Sequence, residues 1–314
     1  MTKEDEEQQV VEGAEETERL TQAQTPVVYR GSSFRRSFRD FIISPKGLIG
    51  VAIILLFVIL PYLRPYLTKY PPLRTGVGGP DLPPSHAHVL GTTSLGQDVY
   101  SQFLAGGLVS VEVGILTGVF STLLVIAIGI PSAYYRGAAG QALTLLTDVI
   151  LVIPVLPLII IFAVYLGPSL TNQIIILTLL TWPFAARVVR AQVLSIRERA
   201  FVESGVAAGG GSFRLMFGEI LPNVFPLVLS NGVLTIVFAI LFQAAIAFLG
   251  LGDPNLVSWG NMLFNAELVG AVSSGEWWWV VPPGLGITAL AIAFSLVVLQ
   301  LDKVFNIRSN VSGV

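Results

Sequence analysis

Apolar residues fall in six long runs separated by shorter polar stretches. The runs cover about 47–63, 106–134, 142–166, 173–194, 221–249 and 280–301. A helix needs about 20 mostly apolar residues, within a range of about 17 to 25, to cross the hydrocarbon of a bilayer. The pattern therefore predicts an all-α polytopic membrane protein with six transmembrane helices. Glycine, proline and single polar residues inside the runs are tolerable, because neighbouring helices satisfy the backbone groups they free. No internal repeat stands out. Between the runs lie an acidic segment at 1–29, a basic lead-in at 30–46, a Pro-rich loop at 64–105, a polar stretch at 197–220 inside the 106–301 core, and a short end at 302–314.

Composition agrees with the runs: 53% of the 314 residues are hydrophobic and 12% charged, against roughly 25% charge in soluble domains. The net charge of -2 hides an asymmetry, since eight of the twenty acidic residues lie in the first eighteen positions. That segment has no aromatic residue and is read as a disordered tail. It lacks the basic, apolar, small-residue order of a secretory signal peptide. The absence of cysteine excludes disulfides and thiol chemistry.

Orientation follows from Lys and Arg, which favour the cytoplasmic side of short loops. Arg30, Arg35, Arg36, Arg39, Lys46, Arg136, Arg187, Arg190, Arg197, Arg199, Arg214, Lys303 and Arg308 fall on one side, against Arg64, Lys69 and Arg74 on the other. Both termini and the 197–220 stretch are expected in the cytoplasm, and the loops at 64–105 and 250–279 outside. Trp277, Trp278 and Trp279 then stand at the outer start of the sixth span, where amphipathic rings favour the interface.

The stretch "RERAFVESGVAAGGGSFRLMFGEILPN" has its own pattern. Val202 and Val206 are four residues apart on one helical face, flanked by charges. Gly209, in a run of three glycines, suits a helix end that needs positive φ. Ser212 can cap a second helix that enters the fifth span. Such an element fits a docking piece or an ordinary solvated loop. A phosphate-binding reading fails, because "AAGGGSFR" lacks the Lys-Ser/Thr of a P-loop and follows a helix.

Glu203-Ser204-Gly205, then Gly209, then Leu221-Pro222 resembles the EAA motif of ATP-binding-cassette (ABC) importer permeases, with Ser204 and Gly205 in place of two alanines. "ILPN" at 220–223, "AFLGLG" at 247–252, "SWGNML" at 258–263 and "HVLGTTSLGQD" at 88–98 are similar to motifs of the C-type permeases of dipeptide and oligopeptide importers. Val89, Thr93 and Gln97 depart from the last of these. Asp148 with Pro154 and Pro157, the run from Ala186 to Arg190, and Pro283-Gly284 follow in matching order.

The resemblance implies a type I ABC importer permease fold forming half of a translocation pathway for peptides. It implies a second homologous permease subunit in a heterodimer, two cytoplasmic ATPase subunits and an extracytoplasmic substrate-binding protein. Close relatives carry nickel or short oligosaccharides, so those substrates stay open. By the same resemblance the 197–220 element is a coupling helix seated in an ATPase groove, with Arg199, Phe201, Val202, Glu203, Val206, Gly209 and Arg214 as its contact residues. The chain itself is expected to hydrolyse no ATP, to carry no catalytic residue, cofactor or metal, and to bind membrane lipid but no nucleic acid.

Each candidate has a plainer reading beside it. Glu203 can bond a partner or merely solvate its face. His86 and His88 alternate as metal ligands can, yet no acid cluster accompanies them. Glu112 and Asp148 are read as the ionisable groups inside spans, where such groups are costly and point to function, though both can also anchor a neighbouring helix. Gln243 stands where the resembled family has Glu. A secondary transporter would show a repeat and paired broken helices, and an intramembrane enzyme would show a catalytic constellation; neither pattern is evident.

Overall fold

The structure, a computed structural model, describes residues 44–311, with side chains as far as residue 304. The acidic tail at 1–29, most of the basic lead-in and the Arg308 side chain lie outside that description. Among the described residues all regular structure is helical. Helix α1 is Pro45–Leu67, opened by Pro45 and capped by Ser44, whose hydroxyl accepts from Gly47 N at 3.0 Å. Helix α2 spans Val99–Tyr134 and contains one wide turn at Val125–Gly129. Then come α3 Ala138–Val152, α4 Val155–Leu166, α5 Leu170–Arg197 and the short α6 Ala200–Ala207. Helix α7, Ser212–Leu251, is followed by α8 Trp259–Leu268 and α9 Trp277–Val311.

Five helices (α1, α2, α5, α7 and α9) are long and apolar enough to span a bilayer, and α3 with α4 makes a sixth, bent by 87°. The single third helix expected from its apolar run is thus two. Ile153 is extended (φ -78, ψ 130) and Pro154 occupies the N-cap of α4. Proline disfavours helical geometry in the residue before it and has no N–H to donate, so the run stays apolar while the helix breaks.

Helix α2 begins at Val99, seven residues ahead of its apolar run, because Asp98 caps it by accepting from Ser101 N at 2.8 Å. At the far end of the chain α9 begins at Trp277 and not after the tryptophans. Only Trp277 is well exposed there; Trp279 is buried in the core, and Trp278 donates to Thr92 O at 3.4 Å.

Helices α1, α2, α7 and α9 pack around one another, and α5 packs on the other side of α2 and α7. The α2–α7 contact is built from a ridge of small residues: Ser110, Gly114 and Gly118 recur every four positions and all are buried, and Gly106 continues the row against Trp259 of α8. Such a ridge lets two backbones approach closely, and dispersion then holds the pair where lipid offers no hydrophobic drive. Two further clusters hold the ends: Trp259, Phe57 and Leu290 at the tryptophan end, and Ile196, Val202 and Ile220 at the arginine-rich end. Exposed Ile161, Val164, Leu285 and Leu299 give the outer surface its apolar character.

Candidate functional site

The arginine-rich end carries the most unusual surface. Arg197, last residue of α5, donates to Ala133 O at 2.6 Å and Tyr134 O at 3.4 Å. A guanidinium on the final carbonyls of α2 satisfies groups that a helix end leaves open and suits its negative pole. Arg199 then turns the chain in extended geometry, and α6 starts. Helix α6 closes on Gly209, at φ +77. Gly209 N donates to Val206 O and Gly210 N to Gly205 O, both at 3.0 Å, the two bonds of a Schellman cap. The second helix opens on Gly211, with Ser212 already inside it, so Ser212 is not the cap.

The faces of α6 differ. Val202 is 1% exposed and packs into the chain's own cluster with Ile196, Met216 and Ile220. Val206, one turn on, is 56% exposed; Val202 turns inward and anchors α6, while Val206 turns outward. Phe201, Glu203 and Arg214 are also exposed. Gly205, standing where the resembled motif has alanine, is crowded: a Cβ there would lie 2.7 Å from Leu215 Cδ2. Phe213 is exposed and packs its ring 4.5 Å from that of Phe217. Between α6 and the end of α2 lies a 540 Å³ groove lined by Tyr135, Arg136, Glu198, Glu203 and Val206 among others.

At the opposite end, the loop between α1 and α2 is ordered by its own motif. His88 Nδ1 donates to Asp98 Oδ1 at 2.9 Å, both residues are buried, and the His88 ring stacks on Tyr70. Asp98 thus holds the histidine with one oxygen and caps α2 with the other. No group of three or more His, Asp or Glu able to hold a metal occurs among the described residues.

Within the spans, Gln243 is buried and its Oε1 accepts from Ser110 Oγ at 3.3 Å, a neutral bond across the α2–α7 ridge. Glu112 is exposed on α2, about 20 Å along the axis from Val99 at 1.5 Å per residue. Asp148 on α3 is ion-paired with Arg187 on α5. Arg187 and Arg190 lie inside α5, although the sequence reading named only Glu112 and Asp148 as ionisable groups inside spans. The structure therefore does not bring Glu112, Asp148 and Gln243 into one constellation, and it supplies Arg187 as a partner that the apolar pattern concealed.

Residues 125–310, which include α6 and its flanking spans, match the family described as the binding-protein-dependent transport system inner membrane component. The chain belongs to this family. It is similar along most of its length to proteins named as peptide transport permeases: one of Brucella suis biovar 1 (strain 1330), 34% identical over 89% of this chain and 90% of the relative, and one of Brucella abortus biovar 1 (strain 9-941), 33% identical over 84% and 88%. The dipeptide transport system permease of Haemophilus influenzae (strain ATCC 51907 / DSM 11121 / KW20 / Rd) is 32% identical over 87% of this chain and 94% of its own. As a member of the family the chain is a multi-pass membrane permease component of a transport system that works with a binding protein.

Proposed function

We propose that this chain forms half of the translocation pathway of an ATP-driven peptide importer. It pairs with a second homologous permease, receives substrate from an extracytoplasmic binding protein and rests on two cytoplasmic ATPases. The peptide class is carried over from relatives named as peptide and dipeptide permeases. The excess of Lys and Arg on one side supports a cytoplasmic position for both termini and α6.

One observation carries the coupling role: α6 is fastened to the body through buried Val202 while Phe201, Glu203 and Val206 stand exposed on it, between two long spans. An apolar and acidic outer face on an anchored helix transmits a push to α5 and α7. Arg199 and Gly209 set its ends, Arg214 stands exposed at the start of α7, and Val202 is the anchor and not a contact. The test uses Val206→Glu and Glu203→Lys in the assembled importer. Both variants are expected to reach the membrane and pair with the second permease, while ATPase capture weakens and substrate-stimulated ATP hydrolysis falls about tenfold, equivalent to a loss of about 1.4 kcal/mol. Normal transport in both would leave α6 a passive loop.

A further inference from the structure

Three features meet on one wall of the molecule, remote from α6. The first is the elbow between α3 and α4. Chain order carries α3 up from the arginine-rich end and α4 on toward the start of α5, so the elbow lies part-way through the bilayer. It faces Leu180–Ala185 of α5, ten or more residues from either end of that helix. Val152 is 81% and Ile153 42% exposed there. Irregular backbone at membrane depth is tolerated only where protein buries it or water bathes it.

The second feature is a 330 Å³ cavity against the elbow, bounded by Thr181 and Phe184 of α5 and Asn231, Thr235 and Phe238 of α7. It is mainly apolar, with an amide and two hydroxyls at its wall. The third is the Asp148–Arg187 pair, four residues from Val152 toward the arginine-rich end; the two side chains are 43% and 60% exposed. Charges turned toward lipid are expensive, and such groups face water or protein instead. The elbow and the ion pair each call for a surface that is not lipid, and the cavity lies beside both.

We propose that this face is the substrate wall of the pathway, and that the Asp148–Arg187 pair with the adjoining cavity is a transient site for zwitterionic peptides. The assignment rests on the peptide-importer reading. Arg187 takes the terminal carboxylate of the peptide, whose geometry matches the guanidinium fork. Asp148 takes the terminal ammonium, and the cavity takes one apolar side chain, a volume at the lower end of ligand pockets. Opening the pair leaves neither charge bare, because each exchanges its partner for the peptide's opposite terminus. A site that reverts to its internal pair on release binds loosely enough to let substrate leave, as a conducting pathway requires.

The experiment uses the complete importer with its binding protein in proteoliposomes. The chain has no cysteine, so Val152→Cys creates the only thiol in it. That thiol is expected to react with a charged thiosulfonate in opened vesicles, and saturating Ala-Ala is expected to slow the reaction about threefold or more, whereas the N-acetylated, C-amidated analogue leaves it unchanged. No reaction, or equal protection by both compounds, overturns the site. The swap Asp148→Arg with Arg187→Asp and the neutral pair Asp148→Asn with Arg187→Gln are then compared. Both are expected to lower dipeptide uptake about tenfold or more at equal amounts of assembled complex, an effect of the size that misplaced binding groups produce. Wild-type uptake in either means that the pair is only a brace between α3 and α5, and the proposal falls. If the wild-type complex imports no dipeptide, the importer reading fails instead; the thiol reaction, which needs no substrate, still decides whether the wall is wet.

Discussion

Gly209 shows how much one residue decides at the arginine-rich end. Its φ of +77 places it where side chains are strained, although a Cβ would meet no atom within 4 Å. The cost of a substitution is therefore conformational and not steric: Gly209→Val should cost about 1 kcal/mol or more through strain, and Gly209→Asn less, since Asn tolerates this region. The expected result is a lower thermal midpoint and weaker coupling of ATP hydrolysis to substrate for Val than for Asn. Equal behaviour of the two would show that backbone geometry is not the constraint. At the other end, Glu276 precedes α9, and burial first, then the nearby Asp81 carboxylate, raise its pKa from its ordinary value. A raised carboxyl pKa means that the folded state binds the proton more tightly than the unfolded one, so its contribution is present at low pH and lost as pH rises through the raised value. Glu276→Gln should therefore raise the thermal midpoint more at pH 8 than at pH 4; parallel profiles for wild type and variant would refute this.

At the scale of elements, the small-residue ridge of α2 sets how closely α7 can lie. A Cβ on Gly118 would meet Ile236 Cγ1 and lie 3.3 Å from Gly232 O, and one on Gly114 would lie 2.8 Å from Ile240 Cγ1. The Cγ1 atoms sit on branched Cβ carbons and can yield only a little, and the Gly232 carbonyl belongs to a packed helix. Gly118→Val should force the helices apart at a cost of about 1 to 3 kcal/mol, the range for overpacked cores. Gly118→Ala should cost less, and joined with Ile236→Ala, which removes the Cγ1 it would meet, should lose less than the sum of the two single changes. Thermal unfolding of the purified complex measures the series, and additive losses in the double variant would mean that the two residues do not share a contact.

For the whole molecule, the distribution of Lys and Arg makes the orientation testable with single cysteines. Ser212→Cys at the arginine-rich end should react with an impermeant thiol reagent only after the membrane is opened. His86→Cys and Ser273→Cys, exposed at the other end, should react in intact cells or right-side-out vesicles. The reverse pattern would invert both the orientation and the proposed site of ATPase contact.

What the chain alone determines is local. Hydrophobic runs mark spans because a bilayer imposes a length on any apolar helix, and the three glycines after α6 mark a helix end because few other residues reach positive φ. The ordered motif from His88 to Asp98 is likewise legible, though only its folding shows that the histidine and the aspartate hold each other. The break at Pro154 had a signal in the proline itself, yet an apolar run with proline also describes a continuous kinked span. Tertiary structure decided what depends on residues far apart in the chain. It turned Val202 inward and left Val206 outside, set Ser110 against Gln243, and paired Asp148 with an arginine 39 positions away. Period and composition specify which face of a helix is apolar. They do not say whether lipid, a neighbouring helix or a water-filled pathway lies against it, because that depends on how the helices close around one another.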